Sequence, residues 1–382
     1  MNTCLTDPDG PIPMAGPPAP LANGRGWIFT RYADVSAVLR SPAFQMAAFA
    51  ERVQRIAARG ARNYDAMITA LRETMLFQNG EKHARARAVG RELAADALSR
   101  WSTGALQAEA RRVVGDLPAG ATVDAVPALG EPLPSLVLAS LLGLDEPACG
   151  SLRGAALALT DSWMPATSLR ALDLHASAAE MLIDSLQALD GPRGAIGRLA
   201  TGHPDDSAAG LAIFMLIAGA ETISGTIAAG LDILARRPEW QSRLRADPDL
   251  MAGFVRETLR LAGPIRRLNV RVAIEDSEIG GVVIRTGDGA VLRTDSAHRD
   301  PAVFPDPDQI DPNRKGAALL AFGGGAHICQ GPLIGVLEAE IMIAAVLERF
   351  MVRPGPSRGA LFSHEHWRVF ATLPLSLEPA HG

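Results

Sequence analysis

The run AFGGGAHICQG, residues 321–331, sets one thiol, Cys329, among four glycines and a histidine. A thiol acts as a metal ligand or nucleophile through its thiolate. Gly331 and Pro332 open an apolar, helix-like run two residues beyond Cys329. The unsatisfied N–H groups and positive end of such a helix favour the anion. The preceding glycines remove side chains, so backbone amides can reach the sulfur and a large flat ligand can lie close. Three readings compete: a small buried hydrophobe, a metal ligand, and a nucleophile paired with His327. His327 and Cys329 lack two further ligands at usable spacing for zinc. Residues two apart rarely face one another, which counts against a Cys–His nucleophile.

Three other pairs have spacing with chemical content. Glu257 and Arg260, in RETLR, stand one helical turn apart and can form a hydrogen-bonded ion pair on one face; alone, such a pair is commonly a solvated surface contact. Glu221 and Thr222, in AGAET (218–222), interrupt the most apolar helical run, where burying a charge is costly. His83 and Arg87, in EKHARAR (81–87), share a face at i, i+4; alone, such a basic face is usually solvated.

The elements around these residues are mostly helical. WIFTRYADVSAVLRS (27–41) reads as a strand turning into a helix, with Asp34 near the helix start. From 45 to 245 the apolar spacing is that of helices. EKHARARAVGRELAADAL (81–98) is amphipathic, and 205–237 is the longest helical pattern. Asp205, Asp206 and Ser207 give that pattern start signals, and Arg236, Arg237 and Pro238 give it stop signals. Residues 268–294 alternate and are broken by glycines, as strands and turns are. Residues 300–316 carry four prolines and should be irregular; helix resumes over 332–350, and WRVFATLPLSLEP reads as a hairpin-like tail. The order implies a mainly α (α+β) chain with a small sheet part. Residues 1–26 read as an extended leader before a single domain over 27–382.

Hydrophobic content of 48% and charged content of 21% describe a globular chain. A formal net charge of −5 argues against a nucleic-acid surface. Cys4, Cys149 and Cys329 are too few and scattered for a disulfide framework, so a reducing, cytoplasmic setting is the default expectation. The N-terminus has neither the basic nor the apolar region of a signal peptide. The run LAIFMLIAGA (211–220) is about half the ~20 residues of a bilayer span, so a soluble protein without a membrane anchor is expected.

Residues 322–331 match F-G-x-G-x-H-x-C-x-G position by position, and RETLR, AGAET and EKHARAR occur in the accompanying order. In these motifs the chain resembles the cytochrome P450 superfamily, from about residue 27 to the C-terminus. The resemblance implies the fold of that family, with haem b (iron protoporphyrin IX) between distal and proximal helices and Cys329 as axial ligand of its iron. It implies that Phe322, His327 and Gly331 belong to the haem loop. His83, Arg87, Arg271 and His327 would meet the haem carboxylates. Ala218 and Gly219 would leave room for dioxygen, and Glu221 and Thr222 would relay protons. Glu257 and Arg260, joined by Arg314 of DPNR, would be structural. Substrate contacts are expected at Phe77, Met164, Ile217, Ile265 and Phe370. They would come from the loop at 45–80, helices near 160–180, the middle of 211–222, and strands near 265–270 and 367–372. Arg266 and Arg267 could meet an acidic substrate, but are expected at the surface.

The implied activity is dioxygen-dependent oxidation of a small, largely hydrophobic molecule. No flavin or nicotinamide-binding segment is present, so electrons would come from separate proteins; the resemblance implies a ferredoxin and its reductase. An oxidative-coupling enzyme of the same fold, acting on a carrier- or peptide-tethered substrate, and a haem-thiolate sensor are the alternatives. After Cys329 the family pattern G-x-x-L-A-R-x-E becomes GPLIGVLE (331–338). Val336 replaces a cation on the side where redox partners dock.

Overall fold

The computed structural model describes residues 12–160, 168–188, 208–362 and 364–380. In chain order its helices are α1 Tyr32–Arg40, α2 Phe49–Gly60, α3 Asp65–Glu73, α4 Gly80–Arg100, α5 Thr103–Gly115, α6 Pro132–Leu142 and α7 Glu146–Thr160. They continue with α8 Leu169–Ala188, α9 Ala208–Arg236, α10 Pro238–Ala246, α11 Met251–Ala262, the single turn α12 Thr294–Ala297, and α13 Pro332–Arg349. The strands are β1 Ala19–Pro20, β2 Gly26–Phe29, β3 Phe44–Met46, β4 Thr122–Asp124, β5 Arg267–Ala273, β6 Ser277–Ile279, β7 Val282–Ile284 and β8 Gly289–Arg293. They end with β9 Phe350–Pro354, β10 Ala360–Leu361, β11 Phe370–Thr372 and β12 Pro374–Pro379.

The chain packs as two compact units. The first comprises Met1–Gln45, Thr103–Leu133 and Glu221–Gly382; the second comprises Met46–Ser102 and Pro134–Ala220. In the first, five strands pair in the order β1-β2-β8-β5-β3. β2 runs parallel to β8, with Gly26 beside Gly289, and β5 runs antiparallel to β8. Phe29, Val35, Val38, Leu39, Ala290, Leu292 and Leu320 close the core between this sheet and α1. The helical spacing of Val35, Val38 and Leu39 on α1 is what a 3.6-residue period requires. The same unit holds a second sheet, β4-β12-β9.

The second unit is helical. Val89 and Leu93 of α4, Leu141 of α6 and Leu211 of α9 form one of its cores, with Phe214 and Met215 packed against them. Gly210 also brings α9 close to the end of α3: a methyl group there would lie 2.5 Å from the Glu73 carbonyl oxygen. The boundary between the units falls within α9. By length and composition Gly210–Arg236 is apolar enough to cross a membrane, yet 67% of its most apolar window is buried, as in a core helix. The start signals expected at Asp205, Asp206 and Ser207 lie outside the described residues. At the other end α9 stops at Arg236, which pairs with Asp232, and Pro238 opens α10.

Two expectations change. The leader is not wholly separate, because Ala19 and Pro20 pair with Ile28 and Trp27. The tail is not a hairpin: β11 pairs with β10, while β12 lies between β4 and β9. Only Leu373 separates β11 from β12, too short a link for a hairpin turn. Its backbone N–H donates to Asp124 Oδ1 at 2.8 Å instead.

Candidate functional site

Cys329 lies in a loop that the first unit's own packing shapes. Single 3₁₀ turns at Leu320–Phe322 and Gly325–His327 fold the chain back, and the Cys329 N–H donates to the Phe322 carbonyl at 2.7 Å. Gly323 and Gly325 have φ of 70° and 62°, a conformation that favours glycine. Gly325 also approaches α1 closely, since a methyl group there would lie 2.1 Å from the Leu39 carbonyl oxygen. His298 anchors the loop's start by accepting the Leu320 N–H at Nε2, 2.9 Å away. Burial, then the charges of Arg260 and Arg299, depress His298 to about 3, so it stays neutral and able to accept. Cys329 is exposed, and α13 begins with Pro332 as its first residue. Phe322 and His327 are half-buried beside it.

The frame behind this loop is built on α11. Arg260 has a side chain fully out of solvent and grips Glu257 with two hydrogen bonds, of 2.7 and 2.8 Å. Its remaining N–H groups donate to the carbonyls of His298, Pro307 and Gln309. Arg314 Nε stands 3.3 Å from the same carboxylate, which also accepts the Asp311 N–H. Burial by itself raises the Glu257 carboxyl. The Arg260 and Asp311 hydrogen bonds and the Arg260 and Arg314 charges outweigh it and hold the group below its ordinary range. The E-x-x-R pair is therefore a buried anchor for residues 305–314, the irregular segment leading to the cysteine loop.

Arg271 lies on β5 opposite Ala290 of β8. It is 7% exposed, and burial lowers it to about 10. Among the described residues no acid pairs with it. On α9, Glu221 is buried and Thr222 half-buried. The Thr226 hydroxyl donates to the Thr222 carbonyl at 2.7 Å, a back-bond that bends helices. Gly225, which the sequence reading did not single out, lets this stretch approach Pro264 and Val369. A methyl group there would lie 2.7 Å from Val369 Cγ1 and 3.1 Å from Pro264 Cβ. Its only signal is a glycine three residues past Thr222.

The structure moves one pair. Arg266, expected at the surface, is 8% exposed. Arg267 is partly covered and pairs with Glu365 at 2.5 Å. The cause is β-pairing that crosses 100 residues of sequence. Ile265 bridges to Trp367, the Arg266 N–H donates to the His366 carbonyl, and the Arg368 N–H donates to the Pro264 carbonyl. His366 and Arg368 are buried with Arg266 in this basic ribbon.

The remaining candidates scatter. Ile265 is half-buried at that bridge, and Phe370 is half-buried on β11. In the second unit, His83 is buried and Arg87 half-buried on α4. Ala218 and Gly219 are half-buried on α9, and Gly219 has ordinary contact room against Leu138. Ile217 is buried, and Phe77 stacks edge-on against Phe49 with centroids 5.0 Å apart. Met164 lies outside the described residues.

Comparison with known proteins agrees with these landmarks. The Cytochrome P450 family profile matches residues 201–378. Cytochrome P450 monooxygenase PikC of Streptomyces venezuelae is 36% identical over 236 residues, 59% of this chain and 56% of that protein. Cytochrome P450-SU2 of Streptomyces griseolus is 33% identical over 339 residues, 85% of this chain and 80% of that protein. The solved structure of P450BioI, in complex with hexadec-9Z-enoic acid ligated acyl carrier protein, superposes with a TM-score of 0.78 at 27% identity over 92% of each chain. With the cysteine loop, its buried E-x-x-R anchor and these matches in agreement, the chain belongs to the cytochrome P450 family and has its fold.

Proposed function

We propose that this chain, as a bacterial-type cytochrome P450 monooxygenase, holds haem b through Cys329 and oxidises a small, largely hydrophobic molecule. Two observations of the chain support the fit to haem. Cys329 is exposed on a glycine-rich loop, with a helix start beyond it. Arg271 is a buried cation with no acid paired to it among the described residues. The haem carboxylates have the chemistry to compensate it. When bound, the haem supplies dioxygen activation, with the thiolate donating electron density.

The protein's own groups do the rest. The helix start beyond Cys329 favours the thiolate, and the Phe322 carbonyl that accepts the Cys329 N–H fixes the loop around it. Arg271 and His327 would hold haem carboxylates, and His83 and Arg87 keep the role that the resemblance implies for them. Ala218 and Gly219 leave room for dioxygen. The Thr222 hydroxyl and Glu221 carboxyl hold and pass protons. Ile265 and Phe370 would present apolar surface to substrate. Electrons come from a ferredoxin and its reductase, docking near an α13 start that offers Leu333, 73% exposed, and Val336 instead of a cation. The protein works as a soluble, cytoplasmic enzyme. The P450BioI complex favours a second substrate form, an acyl chain delivered on a carrier protein.

The observation that carries the reading is Cys329 on its glycine loop. In the reduced, carbon monoxide-treated, haem-loaded protein the Soret band should show the far shift of a thiolate-ligated haem. Cys329→Ser should abolish that shift. An unshifted band in the parent protein, or a shifted one in Cys329→Ser, would remove the ligand.

A further inference from the structure

We infer that the outer face of α2, with the N-terminal end of α8, docks a small acidic protein that carries the substrate as a tethered acyl group. The inference deepens the reading above and rests on it for the choice of partner. All the residues concerned belong to the second unit. Arg52, Arg55 and Arg59 recur at i, i+3 and i+7 and so share one face of α2, whose opposite face buries Val53 and Ala57. Two of the nearby acids are already engaged. Glu51 meets Arg72 at 3.5 Å, and Asp173 of α8 accepts from Arg62 at 3.0 Å and from the Tyr64 hydroxyl at 2.8 Å. These last contacts join the link between α2 and α3 to α8. Arg55 and Arg59 are exposed, and among the described residues no acid pairs with either.

Positive charge concentrates here although the chain as a whole carries −5. Like charges held close on one face repel, and a complementary anionic surface relieves that repulsion. The start of α8 points the same way. Its first turn contains Arg170 and no acid, where a helix macrodipole prefers an anion. Beside Arg170 stand Leu169 and Leu174, 50% and 66% exposed. Cations around exposed apolar side chains match an acidic helix with an apolar spine. Residues 45–80 and 160–180 are also the segments expected to contact substrate, so α2 and α8 offer a carrier its landing place on the elements its cargo must pass. An electron donor has no such need of them.

The test uses haem-loaded protein and, as probe, an acyl carrier protein bearing a hexadecanoyl phosphopantetheine thioester. Binding is read by titration calorimetry at several salt concentrations, for the parent and for Arg55→Glu/Arg59→Glu. The parent should bind at least tenfold more tightly, with affinity falling steeply as salt rises. The double variant should keep its melting temperature and its affinity for hexadecanoic acid. Equal affinity in the two proteins, or no binding of the carrier, would overturn the inference. So would recruitment to phosphatidylglycerol vesicles in its place, which would make the face a membrane contact. The carbon monoxide spectrum of the same samples separates this outcome from failure of the haem-thiolate reading. A parent that binds the carrier without the shifted band would leave the docking face standing.

Discussion

Arg271 is charged, buried and, among the described residues, without a carboxylate partner, so the folded chain alone is poorer for having it. That makes a divided prediction. Arg271→Leu should leave the haem-free protein at least as stable as the parent, because a buried unpaired charge is removed. The same substitution should speed loss of haem to a scavenging apoprotein; unchanged loss would detach Arg271 from the haem carboxylates. Thr222 allows a similarly clean change. Thr226 uses the Thr222 carbonyl, not its hydroxyl, so Thr222→Ala keeps the helical back-bond. Electron consumption should continue while product per electron falls by roughly tenfold or more, with peroxide rising, as expected when a positioned proton donor is lost. Full coupling in that variant would take Thr222 out of the relay.

At the scale of elements, α11 decides where the segment before the cysteine loop lies. Glu257 and Arg260 grip it with hydrogen bonds, and Gly253 lets it approach. A methyl group on Gly253 would stand 2.0 Å from the Pro312 carbonyl oxygen, a backbone atom that cannot rotate away. Gly253→Ala should therefore cost about 1–3 kcal/mol or more by overpacking, read as a lower midpoint in urea. Gly230→Ala on α9 is the control. Its methyl group would meet the end of a flexible side chain, Ile343 Cδ1 at 2.6 Å, and the loss should be smaller. If both variants unfold at the same urea concentration, the Gly253 contact is not the constraint proposed.

At the scale of the whole molecule, three buried groups are shifted far enough to shape stability between pH 5 and 8. Burial lifts Glu338 to about 8, and its Oε2 has no hydrogen-bond partner among the described residues. Unfolded, the same carboxyl titrates near 4.3. Between those values the folded state holds a proton that the unfolded state has lost, so stability declines as pH rises, by roughly 1.4 kcal/mol per pH unit. His298 and His366 act in the opposite sense. Both are depressed to about 3, chiefly by burial, so the unfolded chain takes up protons below about 6.5 that the folded one refuses. Stability from the histidines is present above that pH and is lost as pH falls toward 3. The two slopes cross to give a maximum near pH 6.5. Melting temperatures measured from pH 5 to 8 should peak there, and Glu338→Gln should flatten the limb above the peak. A parent that gains stability from pH 6.5 to 8 would contradict the assignment to Glu338.

The cysteine loop and the long apolar helix were legible from the chain alone, because their information is local. Glycines at fixed offsets, Pro332 after Gly331 and apolar spacing along 211–236 act on near neighbours in sequence. So was the spacing of Glu257 and Arg260, which one helical turn brings onto one face. Whether that pair is solvated or buried was not legible, since its burial comes from the carbonyls of residues 298–309 folding over it. The fate of Arg266, the partners of the tail strands and the need for glycine at 225 were equally hidden. Each is set by backbone pairing or close approach between segments about 10 to 250 residues apart, and no local periodicity encodes which strand will arrive. Sequence determined the chemistry on offer at Cys329; only tertiary packing decided which charges of the same unit are paired, which are buried and which still need a counter-ion.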